Sequence, residues 1–243
     1  MTHVKEQLDE LRKRIVSPQP MIEHPAVQAR IKGEFSLDQI RKIEVQHYYE
    51  ARFFSTFVLN TIKSCNDDIE TRKLMADNWV SEATGRDDHA SLIVRLLDAL
   101  DVPHELAFHA EPTPGMAAWH YIQEQITSRC TFPEAVASLW IGEPEYPPVA
   151  RALYKAYRDV YKLPAAAIET YNTHAEHDPE HGNVEEEIVI KAVEKDPALL
   201  PRLERICREA WWGYVYSFDG YWQAATGRHE FWPGTGQTFI AAG

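Results

Sequence analysis

Apolar side chains recur at helical spacing along most of the chain. Val4, Leu8, Leu11 and Ile15 step by four, three and four, which predicts an amphipathic first helix that Ser17-Pro18-Gln19-Pro20 stops. Pro25 opens a short second helix and Gly33 closes it. Ser36 sits three residues before Gln39 in a capping-box arrangement, ahead of Leu37, Ile40, Ile43, His47, Ala51 and Phe54, so a long third helix is expected to reach about Lys63. From about Ile69 to Leu100 the pattern predicts another long helix, bent near Thr84-Gly85, where glycine costs about 1 kcal/mol relative to alanine. Asp101-Val102-Pro103 and Glu111-Pro112-Thr113-Pro114-Gly115 are breakers, and the segment between them reads as a loop. Further helices are predicted over about 116–129, 133–142, 147–162, 164–177, 181–194 and 198–226, several of them punctuated by Pro133, Pro144, Pro147 or Pro164. Alternating β patterns, internal repeats and low-complexity tracts are absent from the sequence. The expected fold is therefore all-α, a single domain over 1–243, with residues 1–20 as an N-terminal helix and about 228–243 as a C-terminal tail.

Composition narrows the function. At 243 residues the chain can bury one sizeable core without needing a second domain. A net charge of -12 argues against a nucleic-acid groove or a polybasic membrane surface, leaving a small molecule as the expected partner. Cys65, Cys130 and Cys207 are odd in number and far apart, which reads as three buried thiols in a reducing compartment. With no apolar run for a signal peptide and no membrane-spanning stretch, the expected residence is the cytoplasm.

Three segments carry the candidate chemistry: Glu82 with His89, Glu143 within LWIGEPEYP, and His174, Asp178 and His181 within HAEHDPEH. On a helix, residues seven apart differ by about 20° of rotation and about 10 Å of rise, so Glu82 and His89 are expected to face the same way. His174, Asp178 and His181 repeat that face, whereas His177, Glu176 and Glu180 read as solvated residues. Glu145 points about 200° away from Glu143 if the helix continues, and is the poorer candidate. Taken singly, a glutamate or histidine on a helix is usually a solvated or hydrogen-bonded residue. Together these six supply the imidazole nitrogens and carboxylate oxygens that iron takes from facing helices of a bundle.

On these residues the chain resembles the heme-oxygenase-like diiron oxidases and oxygenases, within the superfamily that also holds thiaminase-type (TenA) and pyrroloquinoline-quinone-synthase-type (PqqC) proteins. The resemblance runs from EHPAV at Glu23 to HGNVEEE at Glu187. It implies a heme-oxygenase-like helical bundle, a homodimer, and two Fe(II) ions held by Glu82, His89, Glu143, His174, Asp178 and His181, with O2 as co-substrate and an external reductant. Two departures stand out. Pro179 follows Asp178 directly, so either the ligand helix kinks there or Asp178 caps a new helix. Gly142 stands where the branch that makes para-aminobenzoate from its own tyrosine has Tyr, and Pro25-Ala26-Val27 stands near a second such tyrosine, so an external substrate is expected.

The leading expectation is N-oxygenation of a small amine in a biosynthetic pathway, with oxidative C–C cleavage or decarboxylation of an amino or fatty acid as the alternative. A cofactor-independent enzyme of the same superfamily would want a nucleophilic thiol, for which Cys130 is the candidate. A non-catalytic binding protein would draw on the aromatic stretch from Trp211 to Trp222. There Trp211, Val215, Phe218 and Trp222 step by four, three and four, the pattern of a core face.

Overall fold

A computed structural model describes residues 2–66, 68–84 and 88–232, and describes residues 2, 81 and 176–181 in their backbone alone. Helix α1 (Thr2–Val16) buries Leu8, Leu11 and Ile15 as their spacing requires. Helix α2 (Pro25–Lys32) ends at Gly33, whose φ of 70° is the left-handed conformation that a residue without Cβ adopts freely. The Ser36–Gln39 capping box then opens α3 (Leu37–Ser64), which buries Ile40, Ile43, Glu44, His47, Phe57 and Thr61. The chain continues through α4 (Ile69–Ala83), α5 (His89–Ala99), α6 (His104–Phe108), α7 (Pro114–Arg129), α8 (Phe132–Trp140), α9 (Tyr146–Asp159), α10 (Glu169–Lys195) and α11 (Leu200–Thr226). Among the described residues there is no strand, and no helix is long and apolar enough to cross a membrane.

Helix α11 occupies the middle of the bundle. Trp211, Val215 and Phe218 are buried as predicted, but so are Trp212, Tyr214 and Tyr221 on its other sides, while Trp222 lies half-buried at the rim. Helix α7 approaches α11 closely because both are glycine at the crossing. A Cβ on Gly115 would lie 2.5 Å from Gly220 N, and one on Gly220 would lie 2.7 Å from Met116 N. The Gly115 N–H donates to Gln223 Oε1 at 2.8 Å, and Thr113 Oγ1 donates to the Gly220 carbonyl at 3.1 Å. These bonds satisfy polar groups at a contact too tight for water.

Three sequence expectations give way. The long helix over 69–100 is two helices: α4 ends at Ala83, and Asp88 caps α5 by accepting the Ser91 N–H at 3.0 Å. A capped restart stabilises the break more than glycine-weakened helix would. The loop expected after Pro103 contains the short helix α6. The segments 164–177 and 181–194 are joined in one helix, α10, which runs through Pro179. Proline has no N–H, so the carbonyl of Ala175, four residues earlier, loses its intrahelical donor. Arg151 Nη1 on α9 donates to that carbonyl at 3.0 Å and so repairs the defect from outside the helix.

The junction of α2 and α11 is sensitive to pH. His24 Nδ1 accepts the Ala26 N–H at 3.1 Å as the cap of α2, so the ring proton sits on Nε2, which meets Asp219 Oδ1 at 3.2 Å. The same Asp219 oxygen accepts the Trp232 N–H at 2.6 Å. Protonating Nδ1 would break the cap, and burial, against the pull of Asp219, holds the His24 pKa below its ordinary value. An unfolded chain therefore takes up a proton as pH falls through about 6.5 that the folded chain refuses, so this contribution is present above that pH and lost below it. His24→Asn retains a capping acceptor. It should flatten the fall of Tm between about pH 7 and about pH 5.5, whereas an unchanged slope would remove His24 as its source.

Candidate metal centre

A cavity of about 90 Å³ lies where α3, α5, α10 and α11 meet the 3₁₀ turn Glu143–Glu145. Glu82, His89, Glu143 and His174 all line it, together with His47, Glu50, Tyr146 and Tyr214, and Met21, Phe54 and Phe218 supply apolar wall. Glu82 is in the last turn of α4 and His89 is the first residue of α5, so they do not share one helix face as expected. The break brings them together: His89 Nδ1 and Glu82 Oε2 are 2.7 Å apart, at 8% and 4% exposure. The His174 ring lies 4.3 Å from the His89 ring and 4.9 Å from that of Tyr146, edge-on in both cases.

Glu143 was expected at the end of a helix over 133–142. Helix α8 instead stops at Trp140, and Glu143 opens a 3₁₀ turn that ends in the Pro147-Pro148 start of α9. Gly182 of α10 packs beside this turn, where a Cβ would make ordinary contacts at 3.7 Å from Glu143 Cβ and 3.4 Å from Pro144 Cγ. The side chains of Asp178 and His181 lie outside the described residues. Among the described residues no group of three or more histidine, cysteine, aspartate or glutamate side chains is close enough to grip one ion.

Sequence reasoning missed His47 and Glu50, one turn apart on α3, and Tyr214 on α11. The signal for the first two was their place beside the Ile43, Ala51 and Phe54 stripe, where a polar residue must turn inward. Glu50 faces the cavity and so keeps some accessible surface, yet protein encloses it. Burial pushes its pKa up to about 7, against the opposing charge of His47. The Tyr221 hydroxyl donates to it. The Tyr214 phenol stays protonated, through burial first and then the surrounding carboxylates of Glu143, Glu185, Glu50 and Glu82. Its ring fills the space beside Gly142, where a Cβ would lie 2.5 Å from Tyr214 Cε2 and Cζ.

Behind the cavity wall, fully buried Glu44 accepts hydrogen bonds from the hydroxyls of Tyr157 at 2.5 Å and Tyr171 at 2.8 Å, and pairs with His47 Nδ1 at 2.9 Å. Burial pushes the Glu44 pKa up, but His47, Arg30 and the Tyr157 hydroxyl outweigh it and hold the group below the usual carboxylate range.

The donor set fits iron. Carboxylate oxygen and imidazole nitrogen are its ordinary protein ligands, and three carboxylates border the cavity while among the described residues no lysine or arginine lines it, so a metal cation would supply positive charge there. Cys130 does not line this cavity. Burial, then Glu134 and Glu209, push its thiol up, which is the wrong direction for a nucleophile.

Comparison with known proteins agrees with this chemistry. Residues 41–214 match the family described as iron-containing redox enzyme, and the chain belongs to that family. It is 26% identical over 212 residues to a 4-aminobenzoate synthase of Chlamydia muridarum, covering 87% of this chain and 89% of the relative. A 4-aminobenzoate synthase of Chlamydia trachomatis serovar D is also 26% identical, over 84% of this chain and 88% of the relative. Among solved structures, a CADD-like protein of unknown function from Nostoc punctiforme superposes with a TM-score of 0.73 at 14% identity, covering 93% of this chain and all 100% of that one. A protein with a heme oxygenase-like fold from Shewanella denitrificans gives 0.72 at 12% identity, over 95% and 98%. A TenA homologue from Pseudomonas syringae gives 0.70 at 16%, over 91% and 92%. The helical fold is thus that of the heme-oxygenase-like and TenA proteins.

The fit of Tyr214 over Gly142 sets a measurable constraint. Gly142→Ala must displace the ring and should destabilise the fold by about 1–3 kcal/mol in urea unfolding. Tyr214→Leu should recover part of that loss in the double variant; additive losses would mean that the two residues do not compete for the same space.

Proposed function

We propose that this iron-containing redox enzyme uses a pair of iron ions and O2 to oxidise a small nitrogen-bearing molecule held in the cavity, with N-oxygenation as the outcome. The observation that carries the reading is the convergence of Glu82, His89, Glu143 and His174 on one cavity from α4, α5, the 3₁₀ turn and α10. These four, with Asp178 and His181 one and two turns along α10 from His174, would hold the metals. Bound iron would supply the redox chemistry with O2, which no side chain can provide.

The remaining residues suit a small, uncharged or cationic substrate. Among the described residues the cavity holds about 90 Å³, below the roughly 300 Å³ at which pockets for larger ligands begin, which favours a small molecule over a fatty chain. Phe54, Met21 and Phe218 give the cavity an apolar wall. Glu50, held by Tyr221, presents a carboxylate to a donor N–H and can take or return a proton near neutral pH. Among the described residues an anionic substrate would meet three carboxylates and no lysine or arginine. The electron donor is external, and a homodimer and cytoplasmic residence complete the proposal.

A second reading, formation of 4-aminobenzoate, draws support from the two chlamydial relatives. Gly142 removes one tyrosine, but Tyr214 packs into its place and Tyr146 also lines the cavity, so phenols remain within the site.

Anaerobic titration should give close to two Fe(II) per chain, and Glu143→Ala and His181→Ala should each abolish the dinuclear state. Full loading and O2 uptake in both variants would overturn the ligand assignment. Iron-loaded protein supplied with O2, reductant and a panel of amines should yield hydroxylamine, nitroso or nitro products with the protein mass unchanged. Loss of a tyrosine side chain from Tyr146 or Tyr214, with release of 4-aminobenzoate, would select the second reading; CO2 release would select oxidative cleavage.

A further inference from the structure

The Glu44 cluster is larger than burying one carboxylate requires. Arg30, at 2% exposure, and His47 already offer it opposing charge, yet two tyrosine hydroxyls also converge on a single oxygen, Oε1. The rings form a continuous series. His47, in the cavity wall, stacks on Tyr171 with centroids 5.5 Å apart and planes 29° apart. Tyr171 lies 5.0 Å from Tyr157, which lies 5.4 Å from Tyr161, half-buried just beyond the end of α9.

We infer that Tyr171 and Tyr157 carry oxidising equivalents from the cavity toward the protein surface, where the half-buried Tyr161 ring connects them to a donor, with Glu44 receiving the phenolic proton of both. The inference rests on the iron-and-O2 reading for the source of the oxidant. A phenol gives up an electron at accessible potential only when its proton leaves at the same time, because the cation radical is a very strong acid. A hydrogen bond to a buried, ionised carboxylate meets that condition for Tyr171 and Tyr157 alike.

The steps balance as follows. Tyr171 gives one electron to a one-electron oxidant generated at the iron site from O2, its O–H bond breaks, and the proton passes to Glu44. Tyr157 then gives an electron to the Tyr171 radical; Glu44 returns the first proton to Tyr171 and takes that of Tyr157. The Tyr161 hydroxyl is buried away from solvent and keeps its proton, so its ring only conducts: an electron from outside crosses it to the Tyr157 radical while Glu44 hands its proton back. That electron comes from a soluble one-electron donor of the thiol or ascorbate class at the exposed part of Tyr161, and the donor's own proton goes to solvent. Glu44 ends as it began, and one electron has moved inward from the surface. The route would discharge the site when O2 reacts without substrate.

Two arms separate the path from the iron reading. In the first, metal-free protein is oxidised by flash-generated ruthenium(III) polypyridyl and followed by electron paramagnetic resonance. Wild type should form a tyrosyl radical that moves inward and outlives added ascorbate. Tyr157→Phe, which keeps the ring and loses one oxygen, should lose that protected signal, as should Glu44→Gln. Tyr121→Phe, at an exposed tyrosine off the path, should retain it, and melting curves establish that each variant is folded. Equal radical lifetimes in wild type, Tyr157→Phe and Tyr171→Phe would overturn the proposal. In the second arm, Fe(II)-loaded protein meets O2 without substrate, and a radical that vanishes in Tyr171→Phe supports both proposal and source. A protected radical in the first arm with none in the second supports the path and overturns the iron–O2 reading instead.

Discussion

A carboxylate in the middle of a long buried helix is tolerated only where other groups neutralise and hydrogen-bond it, and Glu44 shows how much of this fold that requires. Its partners come from α2, α3, α9 and α10, so four helices are held in register by one buried ion. Removing a single partner of such a cluster leaves an uncompensated charge in low dielectric, which costs far more than the net worth of any one bond. The positions of His47 and Glu50, about one and two turns further along α3, follow from this anchoring. The cavity therefore has a polar wall whose orientation the bundle sets, while its other walls bring the carboxylates and imidazoles of α4, α5, α10 and the 3₁₀ turn.

The candidate ligands sit where helices are locally imperfect. Glu82 and His89 flank an interruption, Glu143 lies in a 3₁₀ turn, and His174 is followed by Pro179 within the same helix. An uninterrupted helix has every backbone group paired and presents side chains at one fixed pitch. A break or turn allows two neighbouring side chains to point at one place, as the 2.7 Å approach of His89 to Glu82 illustrates. These defects are compensated locally: Asp88 caps the restart of α5, and Arg151 donates to the carbonyl that Pro179 leaves without an intrahelical donor.

The helical character of the chain, most helix ends, the Ser36–Gln39 capping box, the Gly33 terminus and the core stripe of α11 were legible in the sequence, because each depends on residues within one or two turns. So was the grouping of Glu82, His89, Glu143 and His174, which line one cavity. Periodicity alone did not supply that grouping, since its argument for Glu82 and His89 assumed a shared helix that does not exist. It came from residue types whose combination suits one chemistry.

What only the tertiary structure decided are the features that join segments far apart in the chain. Local rules allowed either a kink or a helix boundary at Pro179, and α10 continues, with Arg151, 24 residues before Ala175, reaching across from α9 to the freed carbonyl. Gly142 read as the loss of an aromatic ring from the site, yet Tyr214 on α11 returns one to the same space. Tyr157 and Tyr171 looked like ordinary core aromatics; their hydroxyls meet Glu44 across 113 and 127 residues of sequence. Spacing along a helix determines which face a residue occupies. It carries no information about which distant side chain that face will meet, and in this protein those meetings shape the walls of the cavity.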